Sequence, residues 1–223
     1  MKMFTPQLAR AACALAACTA CAGAARADVL NENFNDISTL VDWQLINRSN
    51  PLGQPWFQGN AGIFAAANGA ADSYIAANYL SALNGIGSID NWLITPALAL
   101  AGPTALSFST RSAPHPAGFN DTLSLLYSPS GRTGVADFTL VLATVGGASA
   151  YPTAWTTVQA NIDATGSGRF AFRYTGAAAT ANYIGIDAVN VVAVPEPALY
   201  AQLALGLCAV GLLRRRQAAR QST

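Results

Sequence analysis

Residues 168–175 read Gly-Arg-Phe-Ala-Phe-Arg-Tyr-Thr, and this octet decides the fold class. Phe170, Phe172 and Tyr174 fall on one face of an extended chain and Arg169, Ala171 and Arg173 on the other, because successive side chains of a strand point to opposite sides. The aromatic face belongs to a core, and the arginine face to solvent or a groove. Residues 121–128 repeat the pattern, with Leu123, Leu125 and Tyr127 on one side and Thr122, Ser124 and Leu126 on the other. Short runs parted by glycine, proline, asparagine and serine predict further strands at 29–34, 62–66, 73–80, 91–95, 104–110, 138–145, 155–160 and 183–192. In the string Asn91-Trp92-Leu93-Ile94-Thr95-Pro96 the alternation stops at a proline, which has no donor to continue a ladder. With no helical stripe between them, these runs predict an all-β fold, a jelly-roll-like two-sheet sandwich.

Outward from this region the composition changes. The 223 residues are 10% charged and 52% hydrophobic with a formal charge of +1, but that average joins three unlike pieces. Residues 28–194 hold five arginines (Arg48, Arg111, Arg132, Arg169, Arg173), no lysine and ten acids, a balance of −5. An acidic domain without lysine lacks the basic surface that tracks a phosphate backbone, so no nucleic-acid partner is expected. Schiff-base chemistry is excluded with the lysines. All four cysteines (Cys13, Cys18, Cys21, Cys208) lie outside the middle piece, which therefore has no disulfide, thiol nucleophile or cysteine zinc site. The single histidine, His115, stands between Pro114 and Pro116 in a stiff loop and reads as a surface residue rather than a triad member. Ten acids leave many carboxylate pairs for glycoside hydrolysis, but none stands out. The domain is expected to be non-catalytic.

Residues 1–27 have the layout of a secretory signal peptide: Lys2 and Arg10, a run of small apolar residues from Ala11 to Ala25, and Ala25-Arg26-Ala27 as an A-x-A site. Signal peptidase would cut between Ala27 and Asp28. Inside the leader, Leu15-Ala16-Ala17-Cys18 also resembles a bacterial lipobox, and that alternative would make Cys18 a lipidated N-terminus. At the other end, residues 198–213 form an apolar run broken only by Gln202 and followed by Arg214, Arg215, Arg216 and Arg220. As a helix rising 1.5 Å per residue the run covers ~24 Å, close to a hydrocarbon core of about 30 Å once arginines snorkel. A single transmembrane helix with a cytoplasmic basic end is predicted, leaving residues 28–194 on the far side of the inner membrane.

Val194-Pro195-Glu196-Pro197 precedes that run, and its prolines hold an extended, accessible strip. The order of Pro-Glu-Pro, apolar helix and arginine cluster over 194–220 resembles the PEP-CTERM protein-sorting signal of Gram-negative bacteria. The resemblance implies that an exosortase recognises Pro195, Glu196 and Pro197 and cuts the tail, with Arg214, Arg215 and Arg216 as the cytoplasmic stop. The mature protein would pass from a transient inner-membrane anchor to the cell surface or the extracellular matrix, in the company of exopolysaccharide. The alternative is a permanent single-span anchor.

The middle piece, 28–193, carries a second set of strings. They include Asn33-Phe34-Asn35-Asp36, Trp56-Phe57-Gln58-Gly59-Asn60, Ser73-Tyr74-Ile75-Ala76-Ala77-Asn78-Tyr79, Asn91 to Pro96, Asp137-Phe138-Thr139, Tyr151-Pro152, Trp155-Thr156, the octet 168–175 with its flank, and Asn182-Tyr183-Ile184-Gly185-Ile186-Asp187. In order and spacing they resemble the choice-of-anchor J domain, a relative of cleaved-adhesin and MAM-like jelly rolls. The resemblance implies a surface or matrix protein that adheres to polysaccharide or to a cell-surface ligand. It also implies a calcium ion between the first and last strands, with Asn35, Asp36 and Asp187 as oxygen ligands. The chain has Phe34-Asn35 where the common relative has Phe-Glu, one carboxylate fewer; without calcium, Asp36 caps a turn and Asp187 closes a strand. Alternative functions are a secreted carbohydrate-active hydrolase and a structural coat component. Trp43, Trp56, Trp92 and Trp155 offer sugar-stacking faces or core.

Overall fold

The computed structural model describes residues 28–114, 117–194 and Gly206. The signal peptide, His115, the Pro-Glu-Pro motif, the arginine cluster and, apart from Gly206, the predicted membrane run lie outside the described residues. No helix among the described residues is long and apolar enough to cross a membrane.

Ten strands build the domain: β1 (Asp28–Glu32), β2 (Gln44–Asn47), β3 (Phe57–Gln58), β4 (Ile75–Asn78), β5 (Ser88–Ile94), β6 (Leu98–Ser112), β7 (Thr122–Ser128), β8 (Leu140–Gly146), β9 (Thr156–Ala177) and β10 (Tyr183–Ala193). Every pairing between them is antiparallel. The first sheet runs β9-β6-β10, and β10 then meets β4 along one half and β1 along the other, with β3 beyond β4. The second sheet runs β2-β5-β9-β7-β8.

The 22-residue β9 serves both sheets. Its first half pairs with β6 as far as Gly168, and its second half lies between β5 and β7. Glycine makes the crossing feasible, since a Cβ on Gly168 would strike the Tyr127 ring. The predicted runs 155–160 and 168–175 are thus one strand that changes sheet, which curls the structure over its own core.

The octet behaves as its alternation requires on the inner side. Phe170, Phe172 and Tyr174 are fully buried. Phe172 meets Phe108 of β6 edge-on at 4.9 Å between centroids, Phe170 meets Tyr127 at 5.1 Å, and Trp56 closes the end over Tyr174 at 6.4 Å. Each such side chain contributes about 1.5–3 kcal/mol relative to leaving it in water. On the outer side the expectation is only half met, because Ala171 is also buried. The segment around Val135 and Phe138 folds back over Trp92, Ile94, Leu126 and Ala171 and makes a second apolar cluster outside the sandwich.

Other boundaries shift for identifiable reasons. Residues 62–66 form no strand: the N–H groups of Ile63 and Phe64 both donate to the Asn60 carbonyl, a turn that spends the donors a ladder would need. The run 73–80 contracts to β4 because the Asn78 side chain accepts from Leu80 N at 2.8 Å and caps a 3-10 turn. The two ends of the domain lie together: Asp28 pairs with Val192, and Val194 N donates to the Pro103 carbonyl at 2.8 Å.

Candidate functional site

The outer face of the first sheet is built from alternate residues of four strands. β6 buries Leu106, Phe108 and Thr110 and turns Ala105, Ser107 and Ser109 outward. The register then sets Asn31 of β1, Asn190 of β10, Ser107 of β6 and Gln159 of β9 in one row across the sheet. The next row holds Val192, Ala105 and Asn161. Ser107, Gln159, Asn161 and Asn190 line a groove of about 410 Å³ over a floor that includes Ala105 and Val192.

No charged side chain lines this groove among the described residues. Its chemistry is that of amides and a hydroxyl, each able both to donate and to accept. Asn190 Oδ1 is enclosed and has no hydrogen-bond partner among the described residues. Past Asn161 the groove continues into a cleft of about 270 Å³ between Pro103, Ile162 and Val194, beside the point where the chain leaves the domain. Asp163 is the one acid lining either stretch among the described residues. The two opposed carboxyl groups of a glycosidase do not meet there.

The acids expected to hold calcium are placed otherwise. Asp36 is exposed and caps the 3-10 turn Ile37–Thr39; its Oδ1 accepts from Ser38 Oγ at 2.6 Å and Ser38 N at 2.9 Å. Those bonds hold its carboxyl below the usual carboxylate range. Asp187 is completely buried in β10, where Oδ2 accepts from Ala67 N at 2.8 Å and Asn68 N at 2.9 Å and Oδ1 from Ala188 N at 2.6 Å. Burial pushes its carboxyl up, and the three N–H donors oppose that shift. Asn35 is exposed with Oδ1 near Gly69, at the same loop that Asp187 holds.

Asn35 and Asp187 therefore border one loop, while the Asp36 carboxylate is turned to its own helical turn. The fit to a calcium ion is poor, because three N–H groups already bond the Asp187 oxygens and the Asp36 carboxylate is engaged with Ser38. No group of three or more His, Cys, Asp or Glu side chains that could hold a metal occurs among the described residues. Asp36 caps a turn, and Asp187 lies within β10 rather than at its end.

The tryptophans are mostly core. Trp43, Trp56 and Trp92 are buried, whereas Trp155 is half-buried, packs edge-on to Phe64 and Tyr74, and donates Nε1 to the Ala65 carbonyl at 2.8 Å. Sequence reasoning missed the amide groove, because Asn31, Ser107, Gln159 and Asn190 come from distant stretches. The one local signal is the alternation of β6, in which small polar residues occupy the outward positions.

The fold has counterparts among solved structures. The K3 cleaved adhesin domain of Lys-gingipain from Porphyromonas gingivalis superposes with a TM-score of 0.58 at 21% identity, covering 75% of this chain and 99% of that one. The K1 domain of the same protein gives 0.55 at 24% identity over 74% of this chain and 98% of its own. The K2 cleaved adhesin domain of Lys-gingipain gives 0.53 at 22% identity, covering 76% and 99%. The fold is that of the cleaved adhesin domains. No family model matches the chain. No curated protein matches it either.

Proposed function

We propose that the chain is an exported, non-catalytic surface or matrix protein of a Gram-negative bacterium, and that its domain holds neutral polysaccharide in the groove on the outer face of the first sheet. The groove carries the reading. Its amide and hydroxyl lining of Ser107, Gln159, Asn161 and Asn190 suits sugar hydroxyls, which also donate and accept at once, and its lack of charge suits a neutral chain. Its width spans three adjacent strands, enough for a linear ligand to lie across several residues.

Export rests on the leader that ends at Ala27 and on the tail that begins at Pro195. In this reading signal peptidase frees Asp28, the helix over 198–213 holds the chain transiently in the inner membrane, and an exosortase cuts near Pro195, Glu196 and Pro197. The domain is read as a choice-of-anchor J-like adhesin module over 28–193, consistent with its likeness in fold to domains that are themselves called adhesins. The common position of Asp28 and Val194 at one end of the sandwich leaves the opposite end free when the tail is anchored.

A glycan array probed with the purified protein, with released reducing ends assayed in parallel, tests the reading. Retention on neutral glycans without release of product is expected. Release of reducing ends would make the domain a hydrolase, and assembly without retention on any glycan would make it a coat component.

A further inference from the structure

We propose that the outer face of the second sheet carries a separate site for carboxylated sugars, at a pocket between Arg48 and Arg173. The pocket measures about 420 Å³ and is lined by Arg48, Asp90, Trp92, Leu126, Phe138 and Arg173, among others. It lies at the edge of the second apolar cluster, where the segment through Val135 and Phe138 ends and the bare sheet begins.

Arg173 is held in place from two sides. Its Nε donates to Asp90 Oδ1 at 2.7 Å, the same oxygen takes the Trp92 Nε1–H at 2.8 Å, and the guanidinium lies 4.8 Å from the Trp92 ring centroid. The stacked cation needs no further anchor. Its two Nη groups have no acceptor among the described residues, and neither does the Arg48 guanidinium. Of the other three, Arg169 donates to the carbonyls of Gly131, Thr95 and Asp42 and Arg111 to those of Thr153 and Ser112, while Arg132 is exposed and lines no part of this pocket. In a domain with twice as many acids as arginines, two guanidinium groups with donors to spare face one pocket against a single carboxylate.

The fork of a guanidinium matches a carboxylate with two parallel hydrogen bonds, and orienting it beforehand reduces the entropy lost on binding. The neighbouring walls decide what carries that carboxylate. Half-exposed Val135, backed by the buried Leu126 and Phe138, gives the pocket an apolar side for the C–H face of a pyranose. Beyond Arg173 the same row continues through Ser124 and Thr144, and the row above it through Thr175 and Thr122, so hydroxyls extend the surface along the sheet. Together they fit a hexuronate within a chain. That the ligand is a polysaccharide rests on the function proposed above; that it bears a carboxylate rests on these residues alone.

Native gels containing polygalacturonate, or the same polymer with its carboxyl groups reduced, test the site with the full chain. The wild-type protein should be retarded by polygalacturonate at least tenfold more strongly than by the reduced polymer, and Arg173→Gln should remove the difference. Because Arg173 also holds Asp90 and Trp92, Arg48→Gln is the second variant: Arg48 is exposed and its side chain bonds to nothing described, so its loss of retardation reads binding rather than folding. Equal retardation of the wild-type protein by both polymers, or an Arg48→Gln protein that binds polygalacturonate as the wild type does, overturns the proposal. Gln159→Ala reports on the first sheet in the same gels; a protein retarded only by polygalacturonate would count against the neutral groove and leave this site standing.

Discussion

Asp187 Oδ2 accepts the backbone N–H of Ala67 at 2.8 Å, a contact between the last strand and a loop 120 residues earlier. Asn68 N shares the same oxygen and Ala188 N takes the other, so the carboxylate of Asp187 closes the fold by satisfying three backbone donors at once. Ala188 has a positive φ of 50° here, at the register shift between Asp187 and Asn190. The bulge aims Asp187 at the loop.

Replacing Asp187 by alanine should therefore destabilise the domain by about 3 kcal/mol, since stranding buried donors costs roughly 1–3 kcal/mol apiece. Asp36→Ala removes only an exposed cap and should cost about 0.5–1 kcal/mol. Urea denaturation of the two variants, with and without excess calcium, measures both. A calcium-dependent gain in the wild-type protein that Asp187→Ala abolishes would reinstate the metal.

Acid titration gives an independent reading of Asp187. Its carboxyl is raised in the folded state above the ordinary 3.8, so the folded protein binds that proton more tightly than the unfolded chain. The stability it contributes is full below pH 3.8 and is lost as pH rises through the raised folded value. Asp36, lowered in the folded state, works in the opposite sense and loses its contribution as pH falls through its own folded value. Against Asp187→Asn, the wild-type protein should lose relative stability from about pH 3.8 upward and level off above the raised value. A relative stability that climbs with pH over that window would contradict the assignment.

How far these features were legible depends on whether their cause is local. The inward set Phe170, Phe172 and Tyr174 follows from alternation alone, and the strand containing it was readable as soon as the octet was. Residues 62–66 carry a strand-like composition, but the Asn60 carbonyl captures two of their donors, and nothing in the string Gly62 to Ala66 announces that. Alternation places Ala171 on the face given to solvent or a groove, because the cover supplied by Val135 and Phe138 is remote in sequence. The amide row is legible only once β1, β6, β9 and β10 are ordered, since its four members span residues 31 to 190. Asp187 is singled out in the sequence as a calcium ligand; its partners Ala67 and Asn68, being backbone donors, carry no side-chain signature.

Tyr174 OH donates to Asp121 Oδ1 at 2.6 Å inside the core, and Asn182 N donates to the same oxygen at 2.8 Å. Burial and the neighbouring Asp121 hold the phenol far above its usual range, so it remains a donor at any pH the fold survives. Tyr174→Phe should lower stability by about 1.5–3 kcal/mol, the range for a hydrogen bond to a charged group, and a melting curve unchanged from wild type would refute that role.

Intact-mass spectrometry of protein recovered from the membranes and the medium of its native host tests the two ends. A mass running from Asp28 to the Pro195–Pro197 region is expected. One that retains Thr223 would make the protein a permanent membrane anchor, and a lipidated Cys18 would replace the predicted cleavage after Ala27.

The neutral groove is tested most directly by calorimetric titration of the wild-type protein and of Gln159→Ala/Asn161→Ala with the neutral glycan that the array retains best. Both residues are exposed, so the double variant should melt within a degree or two of the wild type. Affinity should fall by at least tenfold with the fold intact. An unchanged dissociation constant would place the polysaccharide elsewhere on the molecule.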